Sequence, residues 1–191
     1  MVRRGLTLLE LLVSMAIMAI ILVVIVNVFI ASLQFTTNEQ SRIDVGLSAS
    51  RIFSNLDEDL RQGRQVLTSA TINGVTYTTS GTTLVLALPA LVGGALTNNN
   101  DVLVMYVDNT SHQLTEIVAP YVDANNAVNN STRPGGISQL TTNAQAIYFR
   151  YTTNDPTQSD SLTATLQTQQ TILGRPFSQY AIINVTLRNH P

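Results

Sequence analysis

An apolar run over residues 6–33 constrains this chain more than any other feature, because it is long enough to cross a bilayer as a helix. Its only strongly polar side chains are Glu10 and Asn27, with Thr7, Ser14 and Ser32 as mild exceptions. Arg3 and Arg4 precede the run, and the positive-inside bias then puts the N-terminus in the cytoplasm and the rest outside. An ordinary signal peptide needs small residues at −3 and −1 of a cut beyond its apolar stretch. A cut after Ala31 would put Phe29 at −3, and one after Ala16 would leave an apolar core of only residues 6–13, interrupted by Glu10. A plain signal anchor explains the length and the arginines but leaves Glu10 unexplained. An acid near the centre of a membrane helix costs about 2.5–3.5 kcal/mol on insertion scales, and such residues usually have a partner.

The segment Arg3-Arg4-Gly5-Leu6-Thr7-Leu8-Leu9-Glu10 resembles the prepilin processing motif of the type IV pilin family. The resemblance implies a short basic leader, residues 1–5, removed by a dedicated inner-membrane aspartyl peptidase that cuts between Gly5 and Leu6. It also implies N-methylation of Leu6. Glu10 becomes the fifth residue of the mature chain, where the family keeps its glutamate. Leu6 in place of Phe and Leu9 in place of Ile are mild departures. Gly5 has no side chain, so its backbone can lie close to a protease. Cleavage creates an α-amino cation at Leu6, and Glu10 of a neighbouring subunit would serve as its counter-ion and fix the docking register. Such a pair gains about 4 kcal/mol at 4 Å and an effective dielectric near 20, most of it offset by desolvation.

Helical periodicity continues past the membrane stretch. Val45, Ala49, Ile52, Phe53, Leu56 and Leu60 form one apolar stripe, while Arg51, Asn55, Asp57, Glu58, Arg61 and Gln62 fall largely opposite. Asp57 and Arg61 make a favourable i,i+4 pair, and Gly63 predicts a stop near 63–66. Strand signals follow. Asn73-Gly74 within residues 68–79 marks a two-residue hairpin turn. Further strands are expected over 84–88, 102–107, 114–118, 146–151, 162–166 and 180–187, with loops over 93–100, 123–136 and 152–160. The expected fold is α+β: a long N-terminal helix packed on an antiparallel β-sheet domain. Its parts are the leader (1–5), the transmembrane and filament-core half of the helix (6–33), the amphipathic half (34–65) and a β-rich domain (66–191).

This arrangement also resembles the pilin family. Asp59-Leu60-Arg61-Gln62, with the closing segments 144–151 and 181–188, is similar to PilW-like minor pilins and to the J-type minor pseudopilins of type II secretion. The chain lacks cysteine and a Pro within the helix, which departs from many major pilins. The resemblance implies a non-catalytic subunit of a type IV pilus or a secretion pseudopilus, minor and placed at the tip or in priming. Implied partners are other pilins, the prepilin peptidase, an assembly-platform membrane protein and inner-membrane lipid, with roles in secretion, adhesion or natural transformation. The alternative is a stand-alone, single-pass membrane-anchored binding protein.

Other classes are poorly supported by the residues. The absence of cysteine excludes disulfides and thiolate metal sites. From residue 66 onward, four arginines face six acids, so the body lacks the basic footprint that non-specific nucleic-acid binding needs. No nucleophile elbow, phosphate loop or zinc motif accompanies His112 and His190, so no enzyme and no cofactor are expected. Calcium is kept as a weak candidate at the loop of Asp123, Asn125, Asn126 and Asn129. That loop lacks the EF-hand glycine and terminal glutamate. The six tyrosines (77, 106, 121, 148, 151, 180) fit half-buried sheet positions better than an adhesive face.

Overall fold

The computed structural model describes residues 7–141, 143–172 and 175–187. The chain divides into two compact units, residues 1–44 and 45–191. A single helix, α1 (Leu8–Arg61), supplies most of the first unit and the opening of the second. Within the first unit, Leu8–Gln40 contains an 18-residue stretch with a mean hydropathy of 3.0, none of it buried. By length and composition it can cross a membrane. Three of its hydroxyls are paired within the helix: Ser14 Oγ donates to the Glu10 carbonyl at 2.7 Å, and Thr36 and Thr37 donate to the carbonyls of Ser32 and Leu33. Back-bonding of this kind satisfies polar groups that lipid cannot.

In the second unit the last turns of α1 bury Ile52, Leu56 and Leu60, three members of the expected stripe. The side chains of Val45, Ala49 and Phe53 lie outside what is described. Asp57 and Arg61 form the expected pair at 2.6 Å. The helix ends at Arg61, slightly before the expected stop, because the chain must turn at Gly63 against the sheet. A Cβ there would lie 2.7 Å from Leu86 Cδ2 and 2.9 Å from the Leu60 carbonyl oxygen. The second contact is with backbone and cannot be relieved by a rotamer. Gly63→Ala is therefore expected to cost about 1–3 kcal/mol, read as a lowered urea midpoint in a fragment beginning at Gln34.

Strands follow as β1 (Gln65–Val66), β2 (Ser69–Ile72), β3 (Val75–Thr78), β4 (Thr83–Val92), β5 (Ala95–Asp108), β6 (Gln113–Ala119), β7 (Gly136–Thr141), β8 (Ala144–Tyr151), β9 (Ser161–Ile172) and β10 (Arg175–Thr186). They make a five-stranded sheet in the order β1-β4-β5-β6-β7, a three-stranded sheet β10-β9-β8, and the separate hairpin β2-β3. Every pairing described is antiparallel. The α+β fold expected from the sequence is thus what the chain adopts. The main core joins Leu56 and Leu60 of α1 to the inner faces of both sheets, among them Leu84, Leu86, Met105, Ile147, Leu166 and Val185. The hairpin β2-β3 covers the outer face of the larger sheet, over Val85, Val104 and Ile117.

The hairpin turn at Asn73-Gly74 has φ of 50° and 81°, the left-handed pair that its sequence demands. The expected loop over 93–100 is a correction. Gly93 and Gly94 alone make the turn, at φ 58° and 85°, and β5 begins at Ala95. The asparagines at 98–100 sit on that strand, where Arg64 donates to the Asn98 carbonyl at 2.9 Å and to Asn100 Oδ1. Strand β7 also lies where no strand was expected.

Candidate functional site

The start of α1 carries the first candidate. Thr7 is its N-cap, and its Oγ1 accepts from the Glu10 N–H at 3.3 Å. Glu10 Oε2 reaches back to accept from the Thr7 N–H at 2.9 Å and from Thr7 Oγ1 at 3.1 Å. This is a reciprocal capping box, worth having because the first N–H groups of a helix have no internal partner. The spacing Thr-x-x-Glu is a sequence signature of such a cap, and the sequence reading passed over it. Glu10 therefore has a local role in one chain, in addition to any role between chains. Gly5 and Leu6, the expected cleavage and methylation positions, lie outside the described residues.

A second polar site closes the other end of the helix. Asp101 of β5 is fully buried. Its Oδ1 accepts from the Tyr121 N–H at 2.8 Å, and its Oδ2 accepts from Ser131 Oγ at 2.9 Å and from Arg133 Nε at 2.8 Å. Arg133 also donates to Gln62 Oε1 at 3.1 Å and to the Pro89 carbonyl at 3.3 Å. The loop between β6 and β7 is thereby sewn to β4, β5 and the residue after α1. Nothing in the linear sequence joins positions 62, 101 and 133.

Two more carboxylates lie nearby. Asp59 is half-buried on the last turn of α1, and Glu116 on β6 is 9% exposed. Burial is the main cause holding the Asp59 carboxyl above its ordinary range, opposed by the Arg133 charge. Burial, then the Asp59 charge, holds Glu116 above its own. A carboxyl raised in the folded state binds its proton more tightly there than in the unfolded chain. Its ionisation thus lowers stability as pH rises through the ordinary carboxylate range toward the raised value. Glu116→Gln is expected to raise the melting temperature at neutral pH, with the gain over the parent shrinking on acidification below pH about 5.

The candidate calcium loop is organised differently. Asp123 Oδ1 accepts from the N–H groups of Asn125 and Asn126, and its Oδ2 accepts from Asn129 Nδ2. Those donors occupy the oxygens that a cation would need, and they hold Asp123 below its ordinary range. Among the described residues, no three His, Cys, Asp or Glu side chains converge as a metal group. His112 sits exposed in the β5-β6 turn at φ 53°, and His190 lies outside the described residues. Tyr77 and Tyr106 stack with centroids 5.7 Å apart, Tyr151 donates to the Ser80 carbonyl, and Tyr148 and Tyr180 are exposed at 49% and 60%.

No curated protein matches the chain, and no solved structure matches it. Residues 1–26 match the family model described as the prokaryotic N-terminal methylation motif. Together with the apolar helix, that match supports a type IV pilin-like prepilin.

Proposed function

We propose that the chain is a minor subunit, at the tip or in the priming complex, of a type IV pilus or type II secretion pseudopilus. The observation that carries the reading is the methylation motif over residues 1–26, set on a capped helix with an acid at the fifth position after the cut. In this reading residues 1–5 are a cytoplasmic leader, 6–33 anchor the chain and later enter the filament core, and 34–65 carry the amphipathic half. Residues 66–191 form the body outside the inner membrane. Glu10 exchanges part of its bonding to Thr7 for the α-amino group of a neighbouring Leu6, so the same carboxylate caps the free helix and pins the assembled one. Prepilin peptidase, an assembly platform and other pilins are its partners.

The minor role rests on surface chemistry. Asp57, Glu58 and Asp59 crowd the end of α1, and among the described residues Asp57 alone of the three forms an ion pair, with Arg61. Copies of one chain stacked closely there would repel, whereas a different neighbour with a complementary face would not. The large loop before β7 adds bulk that a repeating shaft must accommodate. The hairpin at Gly93-Gly94 adds less than the expected loop would have done. Quantitative mass spectrometry of sheared filaments tests this reading. The expected result is a scarce subunit beginning with N-methyl-Leu6. Abundance above every other subunit would overturn the minor role, and an intact Met1 in assembled material would overturn the prepilin reading. Deletion then separates the systems: loss of twitching or DNA uptake marks a pilus, and loss of exoprotein release marks a secretion pseudopilus.

A further inference from the structure

Asn27 is the polar residue of α1 that the proposed function leaves without a task. It sits between two apolar stretches, residues 15–26 and 28–31. Its side chain is exposed, and among the described residues its carboxamide makes no hydrogen bond. The hydroxyls of Ser14, Thr36 and Thr37 bond back onto their own helix, and Asn27 does not. A carboxamide has two donor hydrogens and an acceptor oxygen, and lipid satisfies none of them. Escape to the interface is hindered as well. A helical Cβ tilts toward the N-terminus of its helix, which turns Asn27 away from the nearer end of the apolar run. Its position also follows a pattern. In alternating steps of three and four, Ile17, Ile20, Val24, Asn27, Ala31 and Gln34 fall on one seam, and the next step reaches Asn38. Residues 27, 34 and 38 carry every carboxamide of the helix before Glu39, so all of them share this face.

We propose that two copies of the chain pair in the membrane along this seam, the Asn27 carboxamide of one hydrogen-bonded to that of the other. The group is self-complementary, donating and accepting at once, so an identical group is a sufficient partner. Copies inserted in one orientation hold Asn27 at the same depth, which brings the two carboxamides together in a parallel pair. No charge on residues 11–38 opposes the contact. Ala31, one turn on, lets the helices approach closely. Continued toward the N-terminus, the same count reaches Glu10, whose proposed counter-ion is the amino group of a neighbouring Leu6. Both contacts therefore use one helix face. Asp57, Glu58 and Asp59, whose repulsion argues against a repeating shaft, lie beyond the last seam position. The inference rests on reading residues 6–33 as a membrane anchor, and not on which filament the chain serves.

The chain has no cysteine, so single cysteines report the contact face. The full-length chain, purified from its own membranes, is reconstituted in phosphatidylcholine vesicles and oxidised with copper(II) phenanthroline over a range of protein-to-lipid ratios. Val24→Cys and Ala31→Cys should form disulfide-linked dimers, whereas Leu22→Cys and Phe29→Cys, on the opposite face, should not. Adding Asn27→Leu to Val24→Cys should weaken association about 3- to 30-fold, the equivalent of typical polar contacts between membrane helices. Asn27→Gln keeps the carboxamide and should keep most of the pairing. Equal dimer yields from both faces, or an Asn27→Leu variant that pairs as the parent does, would overturn the proposal. So would an equal loss in Asn27→Gln and Asn27→Leu, which would assign the contact to shape alone. Carbonate washing of the vesicles keeps the two readings apart. A retained chain that stays monomeric overturns the pairing, and a released chain overturns the anchor with it.

Discussion

Asp101→Ala is expected to lower the stability of the β-rich body by about 3–5 kcal/mol, the usual cost of removing one partner from a buried ion pair. The reason is what remains behind. Arg133 is 15% exposed at its side chain and would keep its charge with Gln62 Oε1 and the Pro89 carbonyl as its only described acceptors. The Tyr121 N–H and the Ser131 hydroxyl would lose the acceptor they share. Each such orphan adds about 1–3 kcal/mol where water cannot replace the bond. The loop before β7 should then detach from the β4-β5 hairpin. Urea unfolding of a fragment beginning at Gln34 checks the size, and limited proteolysis within residues 120–135 checks the place. A loss under 1 kcal/mol with no new cleavage would show that Asp101 does not hold the loop. A double-mutant cycle with Arg133→Ala should show strong coupling, since the second change removes the stranded charge.

What the sequence revealed and what it hid follow from how local each signal is. Asn73-Gly74 announced its hairpin because two adjacent residues set the turn. Ile52, Leu56 and Leu60 announced the buried helix face because the helical repeat is local as well. Residues 93–100 were read as loop from their asparagines, yet Gly93-Gly94 suffices for the turn and strand pairing recruits the rest. Propensity yielded to tertiary pairing there. β6 concealed Glu116 in another way. Residues 114–117 are all buried, since one face meets the core and the other meets the hairpin, so alternation carried no information. Asp101 and Arg133 lie 32 positions apart, and only the folded chain brings them together. At the N-terminus the charge of Glu10 was legible and so was its place in the processing motif. Its bond to Thr7 was equally legible, and went unread because the motif already accounted for the acid.

Processing offers the sharpest test of the N-terminal half. Gly5→Leu is expected to leave nearly all of the chain as unprocessed precursor in the inner membrane, because a protease must approach the backbone at the cut and a branched side chain stands in the way. Intact-mass measurement of membrane and filament fractions reads the outcome directly. Glu10→Leu should separate the two roles of the acid. It removes a polar side chain from lipid, so insertion and cleavage should be unharmed. It also removes the reciprocal bond to Thr7, a loss of about 0.5–2 kcal/mol typical of helix caps, which a long apolar helix held in lipid can absorb. Recruitment by neighbouring subunits should nevertheless fall sharply, since the new α-amino group at Leu6 would lose its counter-ion. Thr7→Val provides the control: it weakens the cap and keeps the carboxylate, so it should be recruited far better than Glu10→Leu. If both variants fail equally, the carboxylate acts through the cap alone. Equal recruitment of Glu10→Leu and the parent would remove Glu10 from assembly altogether.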